Sequence, residues 1–211
     1  MGLSTSNSER AIYLNIIDGK ITRKVNQETP NAVARTNKKG DTVYELHYDK
    51  LEATIKSLKI EKDDFGKKLV VELQEAADRY LLTIPVESKF FDHFCAKIGN
   101  VNIEEPVIIA PYSFIPKGES QKKSGLNFYQ DGKKVEYYFT EAEPKGKPMA
   151  NGKLEEDDWK IFKMQERKFY CEFITKVFGN EPTERPTYTT EPALSKQKPV
   201  VKEQESSDLP F

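Results

Sequence analysis

Five basic doublets lie beside turns or strands that also carry aromatic residues: Arg23-Lys24, Lys38-Lys39, Lys67-Lys68, Lys122-Lys123 and Lys133-Lys134. Together these side chains suit a flexible polyanion with flat substituents. A cation neutralises phosphate, and a ring offers a face on which an unpaired base stacks, worth about 1–3 kcal/mol per base without regard to its identity. The candidate cations are Lys24, Arg35, Lys38, Lys39, Lys67, Lys68, Lys122, Lys123 and Lys134. The candidate rings are Tyr13, Tyr112 and Phe114 (in "APYSF"), Tyr129 and Tyr138. Lysines at hairpin tips and tyrosines in strands are also ordinary surface chemistry. The expectation therefore rests on the combination on two hairpins, not on any single residue.

Catalytic and metal chemistry finds little to use. The chain has two histidines, His47 and His93, and two remote cysteines, Cys95 and Cys171, with neither Cys-x-x-Cys nor His-Glu-x-x-His spacing. A Gly-x-Ser-x-Gly elbow is missing. "GESQKKSG", starting at Gly118, lacks the second glycine before its lysines that would let backbone amides cradle a phosphate. His93, inside "FFDHFC", reads as a structural histidine at the edge of a core. Glu155-Glu156-Asp157-Asp158 reads as negative charge at the start of a helix. The expectation is a protein that is not an enzyme and takes no cofactor or metal.

The 211 residues suffice for one good-sized domain with appendages, and the formal charge of −1 provides no global field toward nucleic acid or anionic membrane. Any such binding needs a local patch. No run approaches the roughly 20 apolar residues of a membrane span, and "MGLSTSNSER" lacks the pattern of a secretory signal. Met1-Gly2 with Ser6 matches a myristoylation pattern, but one too short to carry an expectation. The cysteines read as reduced, buried thiols, consistent with a cytoplasmic location.

The elements that must position the candidate residues are mostly strands. In "AIYLNIIDGKITRKV", Asp18-Gly19 is a two-residue hairpin turn that pairs Ile17 with Lys20, Ile16 with Ile21, Leu14 with Arg23 and Tyr13 with Lys24. Ile12, Leu14, Ile16, Ile21 and Val25 then share a buried face, with Tyr13, Asn15 and Lys24 on the solvated one. "NQETPNAVARTNKKGD" reads as a loop with a basic tip. "TVYELHY", "EATIKSLKI", "KKLVVELQ" and "RYLLTIPV" read as strands. "ESKFFDHFCAKI" has helical spacing behind a Ser88 N-cap. "EPVIIAPYSF" returns to strand, and "GLNFYQDGKKVEYYFT" is a second hairpin turning on Asp131-Gly132. Its register opposes Phe128 to Val135 and Leu126 to Tyr137 as a core face, with Tyr129 across from Lys134, and Tyr138 near them, on the other.

In "LEEDDWKIFKMQERKFYCEFITKVFG", Trp159, Phe162, Phe169, Tyr170, Phe173 and Val177 approximate one helical stripe. From residue 180 five prolines punctuate a Thr/Glu/Lys-rich run with few apolar anchors. The expected organisation is a flexible lead over 1–10, an OB-like β-barrel over 11–143, a linker over 144–153, a helix packed on the barrel over 154–179, and a disordered tail over 180–211. A helix interrupting the strands late in their series favours an OB-like barrel over a sandwich.

The chain ends in "SSDLPF". Phe211 can enter an apolar pocket while its carboxylate meets a basic side chain, Pro210 limits the entropy lost on ordering, and Asp208 adds long-range attraction. With Leu209 these residues form a candidate partner-binding peptide. The ending resembles the C-terminal tip of bacterial single-stranded DNA-binding proteins, and of several phage-encoded ones that also end in acidic residues and Phe. The order of OB-fold, Pro-punctuated linker and tip is similar as well. The extra Trp159 helix and the thin acidic cluster, Glu203, Glu205 and Asp208, resemble a diverged phage version more than the bacterial protein.

The resemblance implies a non-catalytic protein that covers single-stranded DNA with little sequence preference during replication or recombination. It implies recruitment of replication and recombination proteins through Asp208–Phe211, and the cytoplasm of a bacterial host as the location. The rival expectation is a protein-interaction adaptor, a β-barrel with a recognition peptide and no nucleic-acid role.

Overall fold

The computed structural model describes residues 11–37, 39–139 and 156–179. The lead over 1–10, Lys38, the linker over 144–153, the tail over 180–211 and its tip Asp208–Phe211 lie outside the described residues.

Ten strands form one mixed sheet: β1 (Ile12–Ile17), β2 (Lys20–Val25), β3 (Val33–Thr36), β4 (Thr42–Tyr48), β5 (Leu51–Asp63), β6 (Gly66–Glu75), β7 (Asp78–Pro85), β8 (Pro106–Phe114), β9 (Lys123–Gln130) and β10 (Lys133–Lys134). Among the described residues two helices accompany them, α1 (Lys89–Ile98) and α2 (Glu156–Phe178). The protein is mostly β with one helix late in the strand series, as the sequence predicts. The sheet runs β10-β9-β8-β5-β6-β7-β1-β2-β4-β3 and does not close on itself by ladder pairing.

Its centre is a Greek key. β5, β6 and β7 form an antiparallel meander, and β8 returns after α1 to lie on the other side of β5. A bulge between Ile55 and Ser57 lets the long β5 serve both neighbours, pairing with β8 at its start and with β6 beyond. β1 then lies parallel to β7, Ile12 opposite Tyr80 and Asn15 opposite Thr83. The Asp18-Gly19 turn packs against the backbone of Tyr112 and Ser113 on β8, and Lys122 Nζ reaches Asp18 Oδ1 at 2.7 Å. Gly19 has φ +76°, and a β-carbon there would collide with the Ser113 amide, so glycine is required on both counts.

Both hairpin registers follow the sequence reading. Leu14 faces Arg23 and Ile16 faces Ile21, while Lys134 faces Tyr129 and Val135 donates its N–H to Phe128 O at 2.9 Å. The strand ends there. Tyr138 donates its N–H to Ala96 O of α1 at 2.7 Å, so the alternation expected to bury Tyr137 stops, and Tyr137 is 44% exposed. β3 lies within the segment read as a loop.

Period-2 apolar residues fill the core: Leu14, Ile21, Ile55, Leu58, Leu69, Val71, Leu73, Leu82, Ile84, Val107, Ile109, Leu126 and Phe128 are all buried. α1 adds Phe91, Phe94, Cys95 and Ile98, with Ser88 Oγ capping its start by accepting from the Phe91 amide at 3.2 Å. Phe94 meets Phe128 edge to face at 5.1 Å. The buried Cys95 thiol is pushed well up in pKa by its apolar surroundings.

α2 packs on β5 and α1 through Phe162, Glu166, Tyr170 and Ile174, four apart on one line. The buried Asp92 of α1 ties it down, accepting from Arg167 Nε at 3.1 Å with Lys163 at 3.5 Å, while Lys163 also pairs with Glu166. Trp159 falls off that line and is 46% exposed, unlike the stripe read from the sequence.

Candidate nucleic-acid interface

Tyr112 and Phe114 stand two apart on β8, so they share one face. Their register partners on β9 are Gly125 and Lys123. Gly125 has no side chain to fill the space across from Tyr112, and α1 fills it with His93. Three steps of aromatic contact start from Phe114: Tyr112 at 6.0 Å, His93 at 6.2 Å from Tyr112, and Tyr137 at 6.1 Å from His93. The rings meet edge to face or tilted, an arrangement that holds each by its neighbour. Phe114, 52% exposed, and Tyr137 are the open ends, with Tyr112 and His93 half-buried between them.

Cations flank this row. Lys89, His93 and Lys97 recur every four residues along α1. Lys89, Lys123 and Lys163 line a cleft of about 370 Å³ together with His93, Tyr112 and Ser124, and Asp92 supplies the one carboxylate. Lys97 is buried; its Nζ donates to Leu126 O at 2.8 Å and Asn127 Oδ1 at 3.1 Å and lies 4.8 Å from the centre of the Tyr137 ring. Three donors thus meet two oxygens and a π face, with no carboxylate in ion-pair range among the described residues. Burial lowers the Lys97 pKa, and the neighbouring Lys134 lowers it further. Burial first and the Lys97 charge second lower the pKa of His93, so its neutral form is favoured. Burial raises that of Tyr137.

The sequence-derived candidates divide into groups. Tyr112, Phe114 and Lys123 come together in the row. Lys122 is close by, paired with Asp18, and Lys123 also meets Glu119 at 2.8 Å. Tyr129 and Lys134 stand opposite each other at the far end of β9. Tyr138 is not beside them: its ring covers Gly99, which caps the end of α1, and stacks on Phe173 of α2 at 6.1 Å. Tyr13 and Lys24 are exposed across the sheet on β1 and β2. Arg35 is occupied by a two-pronged pair with the buried Glu45, at 2.7 and 3.0 Å. Lys39 sits 5.9 Å from the ring of Phe65, and Lys68 pairs with Asp63 at 3.0 Å. Lys67 lies beside α2.

Sequence reasoning missed His93, Tyr137, Lys89 and Lys97. The four-residue spacing of Lys89, His93 and Lys97 on a segment already read as a helix is the signal that finds three of them.

Among the described residues no cluster of three or more His, Cys, Asp or Glu is placed to hold a metal, and no helix is long and apolar enough to cross a membrane. Comparison with family models, curated proteins and solved structures returned no match for this chain.

Proposed function

We propose that the protein is a non-catalytic single-stranded DNA-binding protein acting in replication or recombination. The observation that carries this reading is the row Phe114, Tyr112, His93 and Tyr137 with lysines along it. Its steps of 6.0 to 6.2 Å are nearly twice the roughly 3.4 Å rise per base of a duplex strand. Only bases that have left the duplex stack can reach such rings.

The Greek-key order β8-β5-β6-β7, with a helix between β7 and β8, supports an OB-like reading of the centre of the sheet, β1 being the added parallel strand beside β7. Asp208–Phe211 recruit partner proteins in this reading, and the bacterial cytoplasm is where the protein works.

The test is binding of oligo-dT and of a duplex across a salt series. Contacts from Lys89, Lys123 and Lys134 give a slope of log affinity against log salt of about −2 for the single strand. Equal affinity for the duplex, or a single-strand affinity indifferent to salt, overturns the reading and leaves the adaptor.

A further inference from the structure

We infer that the single-strand path does not end at the ring row but continues over α2, where Trp159 is a further stacking ring. This rests on the single-stranded DNA reading of the row.

The cleft beside His93 and Tyr112 shares a wall with a second, larger groove: Lys163 lines both. That second groove, about 750 Å³, lies between the first half of α2 and the β6 and β7 ends. Trp159 and Met164 line it together with Lys67, Lys160, Lys163 and Lys168, and Glu87 is the carboxylate of the lining. Trp159 is 46% exposed and Met164 65% exposed, an apolar cost that packing within the fold does not explain. The Trp159 ring meets Phe162 edge to face at 5.8 Å and is thereby fixed while its surface stays open.

A single strand is the occupant the groove fits. The combination of an open indole and surrounding ammonium groups repeats the chemistry of the adjoining row, and the shared Lys163 makes the two sites continuous. Lys163 is engaged by Asp92 and Glu166, so it serves as the joint between the two grooves. Among the described residues Lys168 is held by a 3.9 Å pair with Glu172 in which both side chains are largely exposed, a contact weak enough to exchange for phosphate. Lys67, from the basic doublet at the start of β6, acquires a role here that its own strand does not give it.

Trp159 is the only tryptophan of the chain, so its fluorescence reports on this groove directly. The experiment uses the full chain with oligo-dT of about four and about sixteen nucleotides, the range one such domain covers. The longer oligomer quenches Trp159 and binds more tightly; the shorter one, held by the ring row, binds without quenching. Trp159→Ala weakens the longer oligomer about 5- to 150-fold and leaves the shorter one unchanged. Lys168→Glu, at an exposed position, does the same more mildly and keeps the test independent of any folding defect.

Tight binding of the longer oligomer with unchanged fluorescence and no effect of either substitution overturns the inference while sparing the ring row. Binding of neither oligomer overturns both. Quenching by an acidic peptide ending in Leu-Pro-Phe, with none by DNA, overturns it by assigning the groove to a protein segment.

Discussion

The Tyr112 hydroxyl lies over the bare α-carbon of Gly125, where a β-carbon would stand 2.6 Å from that oxygen and 2.7 Å from Nδ1 and Cε1 of His93. One missing methyl group on β9 therefore lets a strand ring and a helix ring meet.

Gly125→Ala pushes both side chains outward. They are far ends of side chains and not backbone, so the cost to the fold is about 1 kcal/mol, at the low end for overpacking. The loss of oligo-dT affinity exceeds that figure, because the row is displaced in every folded molecule. Denaturant midpoints and fluorescence anisotropy on the same variant separate the two effects. A stability loss with affinity intact places the binding surface elsewhere.

Phe114→Ala and Tyr137→Ala remove the two most exposed rings of the row. Phe114→Ala changes stability little, as substitutions of exposed side chains do, whereas Tyr137→Ala costs more because it also removes the π face beside the buried Lys97 ammonium. Each weakens oligo-dT binding by about 1–3 kcal/mol, the worth of one stacked base. Anisotropy titrations at fixed salt measure this, and unchanged affinity in both variants removes the row from the binding surface.

His93 makes stability depend on mild acid. Its pKa is lowered in the fold from an unfolded value near 6.5, so the unfolded chain binds the proton more readily. The contribution of the neutral ring is complete above that value and declines as pH falls through 6.5 toward the folded pKa. His93→Gln flattens this part of the profile. Urea midpoints of both proteins between neutral and mildly acidic pH give the comparison, and superimposable slopes count against it.

Arg35→Met separates structure from binding. The Glu45 carboxyl is held below its usual value of 4.5, chiefly by hydrogen bonds from Arg35. That stabilisation is present above 4.5 and is lost as pH falls through the lowered pKa. Removing Arg35 leaves the buried Glu45 carboxylate with His47 Nε2 at 3.7 Å as its remaining partner among the described residues; because the Arg35 side chain is itself 34% exposed, the cost is about 1–2 kcal/mol, below that of a fully buried pair. Stability falls at neutral pH while oligo-dT affinity holds. A variant that binds weakly but melts normally returns Arg35 to the interface.

What could be read without coordinates was local. Asp18-Gly19 and Asp131-Gly132 demand tight turns, and a tight turn with alternating side chains leaves only one register that buries Leu14, Ile16 and Ile21 or Phe128 and Val135. Ser88 is a cap because its Oγ accepts from the Phe91 amide at the start of α1, beside the bond that amide makes to the Ser88 carbonyl. Tyr137 and Tyr138 were misplaced because the hairpin alternation ends where Tyr138 bonds to Ala96, a partner from another element. β3 was hidden in polar sequence that pairs at a sheet edge without burying much apolar surface. Trp159 looked like core because it fits a helical stripe, yet the line through Phe162, Glu166, Tyr170 and Ile174 is the one that touches the body. The ring row joins β8, α1 and the segment after β10, so only the folded arrangement brings it together.

The parallel pairing of β1 with β7 has a kinetic meaning. During synthesis the first hairpin emerges long before Tyr80–Thr83 exist, and its apolar face has nowhere to go. The meander β5-β6-β7 is built from neighbouring hairpins and closes cheaply; docking β1 onto it requires a long loop to be closed first. The N-terminal strands are therefore the late-arriving part of the molecule, and the nascent chain carries an unpaired, aggregation-prone strand edge until the middle of the sequence has been made.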